Sequence, residues 1–301
     1  MSVDVSGSSR PRAAAELPLT YRERLVARVV AVGNSLCVGL DPDPASLPEG
    51  FSDDAAGIEA FARLLVEATL DHAAAYKANL AFFEALGNPG IAALERVRAA
   101  IPAGIPFIAD AKRGDIGSTA ARQAVALFDV LGADAVTVSP YLGRDAIAPL
   151  LERVDRFAYV LCRTSNPGAG EFQGLSVRAA PDASTDNEPL YLAVARRVTA
   201  WSATGVQVGL VVGATAPSEL REIREAAPTL PFLVPGVGAQ GGDVEAVLAD
   251  GPVHGTEGTS ERGGGLLVNI SRGIASAALD GGDPGNALRA ASERWAQILR
   301  C

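Results

Sequence analysis

Eight short apolar runs alternate with amphipathic stretches from residue 35 to the end of the chain. The runs are SLCVGLD (35–41), AAYKANLAFF (74–83), PFIADAKR (106–113), AVTVSPY (135–141), FAYVLCRTS (157–165), VQVGLVVGA (206–214), PFLVPGVGA (231–239) and LLVNISRG (266–273). Each is punctuated by Gly, Pro, Ser or Asn, as expected of buried parallel strands. Between them, GIEAFARLLVEATLDHAA (57–74), STAARQAVALFDVLG (118–132) and APSELREIREAA (216–227) carry apolar residues at helical spacing. Eight such units predict a single α/β domain, a (β/α)8 or TIM barrel. An open doubly wound sheet is the competing architecture. The even count of eight, and the lack of GxGxxG after the first run, weigh against it.

A composition of 48% hydrophobic and 20% charged residues suits a large core. Residues 1–17, rich in Ser, Ala, Pro and Arg, read as a loose tail, and 18–301 as the barrel domain. Two insertions interrupt it. Residues 168–188 follow the fifth strand, where barrel enzymes carry active-site loops, and suggest a lid. The glycine-rich 251–265 follows a helix on the opposite face and reads as a surface loop. A net charge of −9 argues against a nucleic-acid binder, though not against a local cationic pocket. Cys37, Cys162 and Cys301 match no metal spacing and suit a reducing compartment. His72 on a helix and His254 in the glycine-rich loop have no suitably spaced ligands beside them, so no metal site is expected. There is neither an apolar signal core at the start nor a run of about 18 apolar residues, so the expectation is a cytoplasmic protein without membrane contact.

Of 26 basic residues, only Lys77 and Lys112 are lysine. Arginine evidently serves wherever a generic positive charge suffices. Arginine cannot give up a proton near neutral pH, whereas a lysine can be tuned to do so. Both lysines sit among carboxylates near strand ends. In PFIADAKRGDIGSTAA (106–121), Asp110 and Lys112 are two apart, so an extended strand puts them on one face, and Asp115 follows in the turn. Alternating charges of this kind, shielded from water, form a preorganised electrostatic array.

DAKRGDIGST resembles the D-x-K-x-x-D signature of the orotidine 5'-phosphate decarboxylases. LDPDP (40–44), YKANLAFFE (76–84), PGVGAQGGD (235–243) and NISRGI (269–274) are similar, in order, to that family's first-strand, second-strand lysine, phosphate-loop and final-strand arginine motifs. RTSNPGA (163–169) resembles its longer-chain bacterial subgroup. The resemblance implies conversion of orotidine 5'-monophosphate to UMP and CO2 without a cofactor. It implies a charged catalytic network of Lys77, Asp110, Lys112 and Asp115. Asp110 would face the substrate carboxylate, Lys112 would protonate C6, and Lys77 would bind ribose hydroxyls and orient Asp110. It further implies a homodimer in which Asp115, Ile116 and Thr119 reach the partner's site. Asp41 would sit at the ribose and Ser165 at the pyrimidine edge, with Gln240 and Arg272 gripping the phosphate. Read from the residues alone, each also has a plainer alternative: Gln240 a helix cap, Arg272 a helix start, and Asp41 a strand end before Pro42; Thr164 and Asn166 are as polar as Ser165.

Two other readings follow from the same residues. A magnesium-dependent barrel decarboxylase acting on keto-sugar phosphates shares D-x-K-x-x-D but carries an acidic metal ligand where Lys77 stands. A non-catalytic nucleotide-binding barrel would be expected to lack one of the four charged residues.

Overall fold

The computed structural model describes residues 19–178, 186–238, 241–253 and 265–301. Eight parallel strands close into a barrel: β1 Leu36–Leu40, β2 Ala75–Asn79, β3 Phe107–Arg113, β4 Ala135–Val138, β5 Phe157–Arg163, β6 Val208–Val212, β7 Phe232–Val234 and β8 Leu266–Ile270. Each pairs with its neighbours in sequence, and β8 returns to pair with β1, Leu36 opposite Val268. All eight expected strands are present. A sheet closed on itself has no open edge, which rules out the doubly wound alternative.

The helices pack outside the strands. The helix expected over 57–74 spans Ala55–Thr69, capped by Asp54, whose carboxylate accepts the amides of Ala56 and Gly57, each at 3.0 Å. It ends before His72, which lies in the turn that follows. The stretch expected over 118–132 divides into Gly117–Ala124 and a wider π-helical turn, Val125–Val130. Within the 168–188 insertion, a short helix Gly170–Gln173 leads into an antiparallel ladder of Ser176–Arg178 with Asn187–Pro189. Residues 254–264, which include His254, lie outside the described residues. No helix among the described residues is long and apolar enough to cross a membrane. Cys37 and Cys162 are buried, Cys301 is exposed, and all three are free thiols.

The barrel interior is divided along its axis, and the division follows from strand alternation. Ala75, Ile108, Ala135 and Leu267 belong to one buried cluster with Phe157, Tyr159 and residues of the first helix, Tyr21–Val32. Side chains two residues further along a strand point the same way. Those positions are Lys77, Asp110, Thr137 and Asn269. The interior is therefore apolar where the strands begin and polar where they end.

The first helix closes the apolar end. Its start is fixed by a capping box between Thr20 and Glu23, and its end by Gly33 in the left-handed region at φ +69°. Tyr21 stacks on Phe157 with ring centroids 4.8 Å apart, and its hydroxyl lies 3.2 Å from that of Tyr159. Arg24 carries the helix onto the barrel through an ion pair with buried Asp134 at 2.5 Å. Arg156 and Arg98 reach the same carboxylate at 3.1 and 3.5 Å, and Asp134 also accepts the Phe107 amide at 2.9 Å. Four donors compensate the desolvation of that one buried charge.

Candidate active site

At the polar end, β1, β2 and β3 bring Asp41, Lys77 and Asp110 together. Lys77 is buried. Its ammonium lies 2.9 Å from Asp110 Oδ2 and 3.9 Å from Asp41 Oδ1. Lys112 Nζ donates to the other oxygen of Asp110 at 2.7 Å. Charges thus alternate Asp41, Lys77, Asp110, Lys112. Burial on its own would discharge Lys77, but the two carboxylates outweigh it and hold its pKa above the usual lysine range. Burial would likewise raise Asp110, yet Lys77 and Lys112 hold it well below the usual carboxylate range.

Each shift has a consequence for stability. The ionisation of Asp110 favours the folded state above the unfolded carboxylate value of about 3.9, and that contribution disappears as pH falls through the lower folded value. Lys77 behaves in the opposite sense. Its contribution is complete below about pH 10.4 and is lost as pH rises through the higher folded value. Urea unfolding of wild type and Asp110→Asn between about pH 7 and about pH 3 should show wild type losing stability relative to the variant as pH drops below about 4. A difference that does not vary with pH would contradict the assigned ion pairing.

Asp41 is fixed from two sides. Its Oδ1 accepts the Asn79 amide at 3.0 Å, and its Oδ2 accepts the Ser271 hydroxyl in a short hydrogen bond. That approach depends on Gly39, because a Cβ there would stand 2.2 Å from Ser271 Oγ. Asp41 therefore does more than terminate a strand.

Asp110 and Lys112 meet, but not through regular strand alternation. Lys112 adopts φ +48°, and the pairing of β3 with β4 shifts between Ala109 and Arg113. The Lys112 side chain is 48% exposed. Asp115 lies past this break. Its amide donates to Ala146 O at 3.1 Å, and its Oδ1 accepts the Ile116 amide at 2.7 Å. It makes no ion pair with any described residue of its own chain. Ile116 is 70% exposed, and Thr119 lies on the exposed face of the following helix; neither they nor Asp115 line the cavity beside the array.

A cavity of about 570 Å³ runs around the barrel mouth from β3 past β2, β1 and β8 to the end of β7. Asp110, Lys77 and Asp41 line one part, and Gly236, Arg272 and Gly273 another. Among the described residues, the Arg272 guanidinium has no partner, which leaves it available for an anion. Gly236 and Gly238, at φ +98° and +79°, shape the turn after β7. The helix Val244–Asp250 that follows this loop is capped by Asp243, whose carboxylate accepts the Ala246 amide at 3.0 Å. Gln240 lies outside the described residues. Ser165, half-buried at the end of β5, does not line this cavity. Its loop is clamped by Gln173, which accepts the Thr164 amide at 2.9 Å and donates to the Thr164 hydroxyl at 2.8 Å.

Thr137, Ser271, Asn79 and Asn269 were not singled out by the sequence. Asn269 lines the cavity, and its buried Oδ1 has no partner among the described residues. The signal for Thr137 and Asn269 was available in the two-residue period of the strands, which marks polar residues that point inward.

Three comparisons bear on this arrangement. Residues 34–291 match the family model described as orotidine 5'-phosphate decarboxylase / HUMPS family. An orotidine 5'-phosphate decarboxylase of Herpetosiphon aurantiacus is 46% identical over 254 residues, covering 84% of this chain and 88% of the relative. One from Thermomicrobium roseum is 49% identical over 256 residues, covering 85% and 86%. Among solved structures, the OMP decarboxylase of Leishmania donovani superposes with a TM-score of 0.76 at 40% identity, covering 93% of this chain and 98% of that one.

Proposed function

The chain belongs to the orotidine 5'-phosphate decarboxylase / HUMPS family, and from that premise we propose that it converts orotidine 5'-monophosphate to UMP and CO2 with the residues gathered at its barrel mouth. The observation that carries this reading is the run Asp41–Lys77–Asp110–Lys112, two carboxylates and two ammoniums in alternation, of which Asp41, Lys77 and Asp110 line the cavity that also holds Arg272.

The chemistry asks for such an array. When the bond from C6 to the carboxylate breaks, CO2 leaves and the electron pair stays on C6, where the ring delocalises it poorly. Lys112 opposes that charge as it develops and then passes a proton from Nζ to C6. The resulting neutral amine recovers a proton from water. Asp110 faces the substrate carboxylate, and their repulsion is relieved as CO2 departs. Lys77, held between two carboxylates, orients Asp110 and meets the ribose hydroxyls with Asp41. Ser165 presents its hydroxyl to the pyrimidine edge. Arg272, with Gln240 and the glycine turn, takes the phosphate, whose binding energy is used to hold the reacting ring in place.

We also infer a homodimer in which Asp115, Ile116 and Thr119 serve the partner's site. Asp115 without an ion pair among the described residues, and the exposure of Ile116 and Thr119, support it. So does the exposed apolar surface of Ile116, Tyr141 and Leu142, the last two in the segment whose Ala146 binds the Asp115 amide.

The direct test is the ultraviolet-monitored loss of orotidine 5'-monophosphate by purified protein with a chelator present. Rapid conversion to UMP is expected. No conversion by folded protein would overturn the reading and direct attention to sugar phosphates with magnesium. Arg272→Ala should remove about 2–3 kcal/mol of charge-assisted binding, which is about 100-fold in kcat/KM. Unchanged kcat/KM in the same assay would remove Arg272 from the phosphate grip.

A further inference from the structure

Thr137 belongs to none of the motifs that define the site, yet it joins two of the site's charged residues. It is buried on β4 and points inward with Ala135. Its role follows from the break in β3. Lys112 is the one residue other than glycine with positive φ among the described residues, and the β3–β4 register shifts around it. Lysine has no intrinsic preference for the left-handed region, so its surroundings must hold it there. The Lys112 amide instead donates to Thr137 Oγ1 at 3.0 Å. The hydroxyl has a single proton of its own. Its other neighbour, the ionised Asp110, can only accept, so that proton goes to Asp110 Oδ1 at 2.8 Å.

We propose that Thr137 is a positioning residue for the reaction, whose one hydroxyl fixes both the backbone turn that aims Lys112 and the plane of the Asp110 carboxylate. The assignment rests on the decarboxylase reading above. Three donors then hold Asp110: Lys77 on Oδ2, with Lys112 and Thr137 on Oδ1. Without the hydroxyl, the Lys112 amide and one face of Oδ1 lose their partner together. The carboxylate is then held only by the two lysine side chains, and Lys112 can return toward extended backbone. That movement displaces Nζ from the position where a proton must be delivered.

The test compares wild type, Thr137→Val and Thr137→Ser, with kcat and KM for orotidine 5'-monophosphate and calorimetric affinity for UMP. Val keeps the shape and removes the hydroxyl; Ser keeps the hydroxyl. A displacement of about 1 Å costs on the order of 100-fold, so Thr137→Val should lose about that in kcat while KM and UMP affinity stay within about threefold. Thr137→Ser should recover to within about threefold of wild type. If Val proves unstable, Thr137→Ala takes its place. A hydroxyl-free variant with wild-type kcat, or Ser and Val variants equally impaired, would overturn the proposal, the latter by showing that packing alone matters. Wild type inert toward orotidine 5'-monophosphate would overturn the functional reading, and this assignment with it. Active wild type with an unimpaired Val variant would overturn this assignment alone.

Discussion

Lys112→Ala should lose at least about 10⁴-fold in kcat for orotidine 5'-monophosphate, the combined scale of a lost proton donor and a lost electrostatic stabiliser. Both functions reside in one ammonium. It is half-exposed, so removing the side chain leaves no buried void, and the fold should survive with its melting temperature nearly unchanged. Lys112→Arg is the more informative companion. It retains the positive charge, but a guanidinium does not release its proton near neutral pH, and Arg is already the chain's ordinary cation. Arg should therefore recover little. Substantial recovery by Arg would mean that charge alone matters at this position and that the proton comes from elsewhere.

Mixing two inactive proteins should restore activity. If Asp115 serves the partner's site, a heterodimer of Lys112→Ala and Asp115→Ala subunits contains one site missing both residues and one site missing neither. Random exchange makes half the dimers mixed, so the mixture should regain about a quarter of wild-type activity per site. Each variant alone should stay near baseline. The measurement is the decarboxylation rate after co-refolding equal amounts, followed by native mass spectrometry of the intact dimers to confirm subunit exchange. Failure to gain activity, with exchange demonstrated, would place Asp115 in its own subunit's site or in none. The exposed Ile116 beside it would then need another explanation.

Much of this architecture was legible in advance because barrel strands have a simple rule: apolar runs buried on both sides, alternating with amphipathic helices. The eight runs translated directly into eight strands. The charged residues were legible for a related reason, since ionised side chains inside runs such as FIADAK require a partner to be tolerated. What the sequence did not disclose was local. It did not reveal that β3 breaks at Lys112, because lysine carries no mark of left-handed backbone. Ser271 could not be matched to Asp41, because their meeting depends on ring closure between residues 230 positions apart and on the missing side chain of Gly39.

The closure of β8 onto β1 also orders events in time. Every other neighbour in the ring can pair soon after it is synthesised, because it follows its partner in the chain. The β1–β8 seam must wait until residue 270 is available. Pairings of such separation are slow to form because the loop entropy is lost before any contact compensates it. The Ser271–Asp41 hydrogen bond spans the same seam, and so does the Val268 amide donating to Ser35 O at 2.9 Å. Until that seam forms, Asp41 lacks its Ser271 partner, so the last pairing to close is also the one that completes the aspartate at the cavity.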